Sequence, residues 1–238
     1  MVSVKAPENT IQKWYDSYYQ HMSLNRNDLL ANPEVVFQSF ALERSLIAGL
    51  CAVGCKREMT GILDVGCGVG GSLYTFLRLG FRPEQLTGID ILEERVADAH
   101  YRFPNIIIKH ENAAQMSFPD DSFDITHEST MLVQILDDNV TRSIASEMIR
   151  VTKPNGYIII VDWRYNKPGS SEYRAISPQR IAALFQVGTA TKLLHKSNGA
   201  LIPPVGRFLS KRMPSLYFLV QSMFPFLVGQ TTTILQKI

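Results

Sequence analysis

The amino-acid sequence predicts a layered α/β fold built on a mostly parallel sheet. Between residues 61 and 162, short runs rich in β-branched residues alternate with helical patterns of apolar residues. Residues 157–161, with the letters YIIIV, are continuously apolar, which is typical of a parallel strand buried on both faces. Residues 62–65 end in a glycine-rich turn that leads into a helix. This alternation predicts right-handed crossovers and a ligand crevice at the carboxyl ends of the strands.

Composition limits the class of protein. The chain has 238 residues, of which 45% are hydrophobic and 19% charged, a size that suits one well-packed domain. The formal net charge of +2 and the lack of a basic run do not favour nucleic acid as a partner. Cys51, Cys55 and Cys67 form no C-x-x-C pair, so neither a disulfide framework nor a zinc site is predicted.

The first residues lack the apolar core of a signal peptide, and no run of about 18 uninterrupted apolar residues is present. We therefore expect a soluble, cytoplasmic protein. The adjacent Asp137 and Asp138 could serve a metal-assisted reaction, but adjacent acids before a helix are more typical of helix caps, so no metal is predicted.

Two helical patterns precede the first strand. Residues 8–20 place aromatic side chains at helical spacing, which fits either a helix packed on the sheet or a lid over the ligand. The residues of this candidate lid are Trp14, Tyr15, Tyr18 and Tyr19. The second pattern starts at Asn32, the predicted N-cap, continues with Pro33 at the first helical position, and extends to about residue 53.

The glycine-rich turn predicts a nucleotide site. Gly66, Gly68 and Gly71 match the pattern G-x-G-x-x-G, in which bare backbone and a helix N-terminus face the ligand. About 20 residues later, Asp90 ends the next strand, where a carboxylate can accept hydrogen bonds from ribose hydroxyls. The alternative is that Asp90 only caps the following helix. By itself the glycine pattern also fits NAD.

Further elements follow from turn signals and periodicity. Gly80 is the predicted C′ glycine of the helix after the glycine loop, and residues 153–156 are a predicted turn. The predicted strands are 61–65, 86–90, 105–109, 123–127, 157–161, about 190–196, and 231–237, with helices at about 92–103, 139–151 and 179–185.

Residues 199–229 form a segment that the alternation does not explain. The segment contains four prolines, basic residues at Arg207, Lys211 and Arg212, and a crowded apolar stretch from residue 216 to 227. One interpretation is an inserted helical pair packed on the sheet. The other is a substrate cover or a surface that contacts a membrane or a lipid-linked acceptor.

Four motifs give the sequence its resemblance to a family. They are ILDVGCGVGG at residues 62–71, GID at 88–90, SFPDDSFDI at 117–125 and RVTKPNGYIIIVD at 150–162. In this order and spacing the chain resembles a class I S-adenosylmethionine-dependent methyltransferase of the small-molecule group. The resemblance implies a three-layer, Rossmann-like, seven-stranded sheet whose last strand is antiparallel. To this the chain's own patterns add an N-terminal helical lid and a helical insert before the last strand.

The resemblance also implies an organisation and a set of cofactor residues. We expect a single domain over 1–238, with N-terminal helices in 1–58, a cofactor-binding core in 59–165 and substrate-side elements in 166–238. The implied contacts with S-adenosylmethionine, or with the product S-adenosylhomocysteine, come from Asp64, Gly66, Cys67, Gly68, Gly70, Asp90, Ile91, Asn112, Ala113 and Glu128. The family usually has an acid where this chain has Asn112, whose amide oxygen can still accept a hydrogen bond. Asp64 suits a cationic amino-acid group and would repel a pyrophosphate.

Methyl transfer is an in-line displacement that mainly needs alignment and exclusion of water. A hydroxyl acceptor must also lose a proton, and His127 and Glu128 at the end of the fourth strand are the candidate bases, with Asp162 a weaker one. Family members that methylate planar nitrogens usually show Asn or Asp followed by Pro-Pro and an aromatic residue, and residues 126–129 read THES.

We therefore predict methylation of a hydroxyl on a sugar or secondary metabolite, carrier-linked if the insert touches a membrane. The alternative is a carbon on a quinone or polyketide-like ring. Alternatives from other classes are an NAD-dependent oxidoreductase and a non-catalytic protein that binds S-adenosylmethionine.

Overall fold

The computed structural model describes Leu30, residues 32–166, Gly169 and residues 171–238. Seven strands form one sheet. They are Ile62–Val65 (β1), Leu86–Asp90 (β2), Ile107–His110 (β3), Phe123–Ser129 (β4), Thr152–Trp163 (β5), Thr191–Asn198 (β6) and Gln230–Lys237 (β7). The spatial order is β3-β2-β1-β4-β5-β7-β6. The first five strands, β1 to β5, are parallel to one another, and β7 is antiparallel to both β5 and β6. The predicted Rossmann-like fold is confirmed.

Helices cover both faces of the sheet. They are Val36–Ala52 (α1), Gly71–Arg78 (α2), Glu93–Arg102 (α3), Asp138–Val151 (α4), Pro178–Leu184 (α5), Pro203–Arg212 (α6) and Tyr217–Met223 (α7). One core lies under α1, α2 and α3 and includes Phe76, and the other lies under α4 and α5 and includes Met148 and Phe185. Successive residues of a strand point to opposite faces, so each buried strand contributes to both cores.

The helix α1 continues a short 3₁₀ turn, Pro33–Val35. Together they make the one stretch of the described residues, Pro33–Ala52, that is long and apolar enough to cross a membrane by length and composition alone. The Ser45 hydroxyl lies 2.6 Å from the Thr232 hydroxyl of β7, and one face of α1 packs on the sheet. In the structure, α1 therefore packs along one face on the sheet, and its other face, with Phe40 and Ile47, is exposed.

Most predicted elements are confirmed, and two local predictions are wrong. Asn32 makes no side-chain cap bond among the described residues, because the chain enters through the 3₁₀ turn, in which the carbonyl of Asn32 accepts from the amide of Val35. Residues 153–156 lie within the bounds of β5 rather than between elements, but they have no pairing partner on β4 or β7. Asn155 there has φ 62°, and the pairing of β4 with β5 shifts register, so a local irregularity produced the turn signal. Gly80 does end α2, with φ 90° and its amide donating to the carbonyl of Leu77.

The insert, residues 199–229, is a helical pair, as the first interpretation predicted. It contains α6, α7 and short 3₁₀ turns at Pro214–Leu216 and Pro225–Leu227. A separate small core joins it to α1, with Tyr217 fully buried and its ring 5.5 Å from that of Phe37. The predicted helix at residues 8–20 and the candidate lid residues Trp14, Tyr15, Tyr18 and Tyr19 lie outside the described residues.

Candidate cofactor and active site

The glycine loop after β1 has the backbone that only glycine adopts easily. Gly66, Gly68 and Gly70 have φ values of 71°, 54° and 88°, in the left-handed region. A Cβ on Gly66 would lie 2.5 Å from Cγ of Met131, and one on Gly70 would lie 2.5 Å from Cε2 of Phe103. Gly71, the last glycine of the fingerprint, is the first residue of α2, and an added Cβ would meet nothing within 4 Å in the part of the chain that the structure describes.

The loop is fixed to the end of β2. The amides of Gly66 and Cys67 both donate to the carbonyl of Ile89, each at 2.9 Å. Asp90 then joins the two loops, because one carboxylate oxygen accepts from the amide of Gly68 at 2.8 Å and the other from the amide of Leu92 at 2.9 Å. Burial raises the pKa of Asp90 above its usual value. Asp90 thus also binds the amide of Leu92 at the start of α3, as the capping alternative predicted. Each of its oxygens keeps a lone pair for a ribose hydroxyl.

The Cys67 thiol lies under the loop and is buried. Burial, together with the negative charge of Asp64, raises the pKa of the thiol. The sulfur packs against β2, since a Cβ on Gly88 would approach it to 2.8 Å. Cys67 is therefore a packing residue beneath the cradle, and only its backbone is available to a ligand.

Asp64 and His127 form a buried pair on neighbouring strands. Their side chains are 1% and 2% exposed, and Oδ1 of Asp64 lies 2.7 Å from Nδ1 of His127. The His127 ring stands edge to face against Phe76 at a centroid distance of 5.2 Å. The second oxygen of Asp64 is buried with no hydrogen-bond partner among the described residues. This unused acceptor beside the glycine loop suits an ammonium group of a ligand.

Glu128 lies on the opposite face of the sheet from its neighbour His127. One carboxylate oxygen accepts from the amides of Met131 and Leu132, at 3.1 and 3.3 Å. The other oxygen is fully buried and finds no donor within the described chain. Because its carboxylate is buried and near the charge of Asp162, the pKa of Glu128 lies well above its usual value.

Asp162 shares this buried region with Glu128. It accepts from the amides of Val133 and Trp163, at 2.9 and 2.7 Å. Burial raises the pKa of Asp162 to about 7. Together the two carboxylates accept from three successive amides, those of residues 131–133, and so fix the loop after β4, which carries Met131 against Gly66.

The structure separates the two candidate bases. His127 and Glu128 belong to different faces of β4, both are buried, and each is occupied by a partner or by the loop after β4. In these positions neither side chain meets solvent at the crevice, so the geometry favours a positioning role for both. The alternation of side chains along a strand could have indicated this separation from the sequence. The role of Met131 left no signal in the spacing, since it depends on a contact across 65 residues.

The predicted adenine end lies after β2 and β3. The carbonyl of Ile91 is 2.8 Å from Nε2 of His110. Asn112 folds back on its own turn, because its amide oxygen accepts from the amide of Ala114 at 2.9 Å and its carbonyl from the amide of Gln115. Ala113 packs against the core under α4. The oxygen of Asn112 retains one lone pair for a ligand.

Within the described residues, no group of three or more His, Cys, Asp or Glu side chains is arranged to hold a metal ion. Asp137 caps α4 by accepting from the amides of Asn139 and Val140, as its sequence position predicted.

Comparison with known proteins agrees with this geometry. A family profile described as "Methyltransferase domain" matches residues 62–156, which contain the glycine loop, Asp90 and β4. Residues 62–156 therefore form a methyltransferase domain of the class I S-adenosylmethionine-dependent kind. A protein from Pyrococcus horikoshii shares the fold of this methyltransferase with a TM-score of 0.62 and 16% identity, over 93% of this chain and 99% of that one.

Two curated relatives are methyltransferases named for their acceptors. A 2-methyl-6-phytyl-1,4-hydroquinone methyltransferase from Synechocystis is 36% identical over 108 residues, which is 44% of this chain and 32% of the relative. A sterol 24-C-methyltransferase from Gibberella zeae is 32% identical over 138 residues, 55% of this chain and 34% of the relative. The chain spans about a third of the length of these relatives.

The cofactor of this family is S-adenosylmethionine, and the residues present fit it. The left-handed glycines leave the loop without side chains, Asp90 has free lone pairs at a strand end, and Asp64 has an unused buried acceptor. A pyrophosphate would meet repulsion from Asp64, which argues against a dinucleotide in this cradle.

Proposed function

We propose that this methyltransferase transfers a methyl group from S-adenosylmethionine to a carbon of an apolar, ring-containing lipid such as a prenylated hydroquinone or a sterol-like molecule. Support for the acceptor comes from the two relatives, whose names specify acceptors of this kind. The observation that carries the proposal is the apolar insert. It occupies the carboxyl edge of the sheet, where the crevice of such folds lies.

Different residues of the chain bind different parts of the cofactor and so align its methyl group with the acceptor. The glycine loop and Asp90 hold the nucleoside, and Asp64 holds the amino-acid end through its free oxygen. Glu128 and Asp162 position the loop after β4, which closes over Gly66. The cofactor supplies an electrophilic methyl group on a sulfonium, whose reaction needs orientation and exclusion of water more than a protein nucleophile.

A hydroxyl acceptor on a sugar or secondary metabolite is the second candidate. Methylation of a hydroxyl requires a base in the crevice. Residues 126–129 lack the motif of enzymes that methylate planar nitrogens, which favours an oxygen or a carbon as the methylated atom. We also propose that the protein is cytoplasmic. Because a lipid acceptor lies in a membrane, we propose that the protein contacts a membrane from the cytoplasmic side. The candidate lid at Trp14, Tyr15, Tyr18 and Tyr19 would cover the acceptor.

Cofactor choice is tested by calorimetry and thermal unfolding with S-adenosylhomocysteine and NAD in parallel. At about 100 times its dissociation constant, a ligand raises the free energy of unfolding by about 2.7 kcal/mol. For a chain of this size that raises Tm by about 5 to 10 °C. Stabilisation by NAD and not by S-adenosylhomocysteine would contradict the proposal. Tight S-adenosylhomocysteine binding without turnover on any acceptor would favour the non-catalytic alternative.

The acceptor is tested with labelled S-adenosylmethionine against a prenylated hydroquinone, a sterol and a panel of sugars. The carbon NMR shift of the transferred methyl distinguishes a methyl on carbon from a methyl on oxygen. We expect label in the apolar rings, on carbon. Label on a sugar hydroxyl would replace the first candidate by the second.

A further inference from the structure

The insert lies at the end of the sheet where the parallel strands finish. β7 is antiparallel to β5, with Gln230 opposite Trp163, so residues 199–229 emerge where the parallel strands end. The chain after β5 holds the insert there, since the amide of Arg164 donates to the carbonyl of Gly229 at 2.9 Å. The Tyr165 hydroxyl donates to the carbonyl of Phe226 at 3.1 Å.

The insert exposes large apolar side chains as well as burying a core of its own. We define the insert surface as Phe208, Met213, Leu219, Met223, Phe224 and Phe226. Phe226 is 64% exposed and Met223 63%, and the rings of Phe224 and Phe226 contact each other at a centroid distance of 5.9 Å. Concentrated apolar exposure of this kind marks a surface that contacts another apolar phase.

Acidic and basic residues are distributed unevenly along the chain. All 22 acidic residues lie at or before Glu172, and residues 173–238 carry eight Lys and Arg with no Asp or Glu. Lys211 and Arg212 are exposed at the end of α6, next in sequence to Met213. The segment that carries the insert surface therefore has basic residues and no acidic ones, and Glu34 is an acid of the described chain that lies on the 3₁₀ turn packed against α6.

We propose that the insert surface docks on an anionic lipid bilayer, with the aromatic and methionine side chains in the interface and the basic residues on lipid headgroups. Apolar area and cations both contribute to such binding. A second copy of the chain fits less well, because an isologous contact through this surface would bring the cations of two copies together. The purpose of this docking is to deliver a lipid acceptor to the crevice, and that purpose rests on the proposed function.

The test is co-sedimentation of the full chain with lipid vesicles, without acceptor or cofactor. One set of vesicles is phosphatidylcholine, and the other is an equimolar mixture with phosphatidylglycerol. We expect binding to the anionic vesicles that is at least about tenfold tighter, and that weakens at about 1 M salt, where the screening length is about 3 Å.

Two double variants separate the contributions. Phe224→Ser with Phe226→Ser, and Lys211→Ala with Arg212→Ala, should each weaken binding to the anionic vesicles about tenfold or more. The matched controls are the exposed Tyr101→Ser on α3 and the exposed pair Lys56→Ala with Arg102→Ala, which should bind like the unchanged protein. Unchanged S-adenosylhomocysteine affinity shows that each variant is folded.

Three results would overturn the inference. They are no sedimentation with anionic vesicles, equal loss in the control variants, and a dimer in solution that the Phe224→Ser and Phe226→Ser variant dissociates. A protein that binds vesicles but does not methylate lipid rings would remove the proposed acceptor and leave the docking surface standing.

Discussion

Glycine is required at different positions of the loop for different reasons. Gly66 needs both a left-handed backbone and the absence of a Cβ, because Met131 packs directly over it. Gly71 belongs to the same sequence fingerprint but has neither requirement in the described structure. The positions of the G-x-G-x-x-G pattern therefore differ in how strictly they require glycine.

This difference predicts the behaviour of two alanine variants. Gly66→Ala should weaken S-adenosylhomocysteine binding about tenfold or more, since a left-handed non-glycine residue costs about 1–2 kcal/mol and Met131 must also move. Gly71→Ala, the control, should bind like the unchanged protein. Calorimetric titration of both variants measures the difference. Equal affinities would show that Met131 and the loop adjust freely.

The Asp64–His127 pair predicts a loss of stability. His127→Ala removes the donor to a carboxylate that is 1% exposed, and it also removes the contact with Phe76. We expect the free energy of unfolding in urea to fall by about 2–4 kcal/mol. His195→Ala, on the edge strand β6 and only half-buried, should cost less than about 1 kcal/mol. Normal stability with lost turnover would instead restore His127 as a catalytic base.

At the scale of elements, β4 separates two chemical environments. Its alternating side chains send His127 to the core under α1 to α3 and Glu128 to the core under α4 and α5. The loop that follows is held by Glu128 and Asp162 rather than by an extended hydrogen-bond ladder. The position of that loop therefore depends on two buried carboxyl groups.

The pKa values of these groups predict a pH dependence. The pKa of Asp162 is raised from 3.8 to about 7, and that of Glu128 is raised as well, so the folded chain keeps protons that the unfolded chain has lost. The free energy of unfolding should therefore fall as pH rises from about 4 to 7 through this contribution. Urea unfolding at pH 5 and pH 8 measures it.

A substitution isolates the contribution of Glu128. Glu128→Gln keeps the acceptor for the amides of Met131 and Leu132 and places its NH₂ where the unpartnered oxygen lies. It should stabilise the fold at pH 8 by about 1–3 kcal/mol and flatten the pH dependence. Glu147→Gln is the control of opposite sign, because Arg150 lowers the pKa of Glu147 and its charge stabilises the fold. A destabilised Glu128→Gln variant would contradict the raised pKa.

Local patterns predicted the strands because periodicity and glycine signals are encoded within a few residues. The strand 86–90 agrees with Leu86–Asp90, and the loop glycines have the expected left-handed backbone. The orientation of His127 and Glu128 was not predicted, although strand alternation contains it. The contact of Met131 with Gly66 could not be predicted, because it is a packing relation between distant segments. Asn32 illustrates a local signal that the 3₁₀ entry overrides.

At the scale of the whole molecule, the family match covers residues 62–156, and the C-terminal part of the chain lies outside it. The family profile ends at residue 156, and the insert, β6 and β7 follow it. The family match thus identifies S-adenosylmethionine as the methyl donor.

The predicted lid gives a test at this scale. Trp14→Ala and Tyr18→Ala should raise KM for the acceptor severalfold and leave S-adenosylhomocysteine affinity unchanged, because a cover over the acceptor does not hold the cofactor. Steady-state kinetics with varied acceptor, beside calorimetry, measure both quantities. A loss of cofactor affinity would assign these residues to the cofactor side.

The uneven distribution of charge also has a consequence before any contact forms. The last 66 residues, which carry no acid, supply β7 and β6 at one end of the strand order and the insert beside them. The molecule is therefore an electric dipole. A negatively charged surface exerts a torque on such a dipole at distances of about a screening length, roughly 8 Å at physiological salt. The chain would turn its basic end toward the surface during approach, so that most encounters start in the productive orientation.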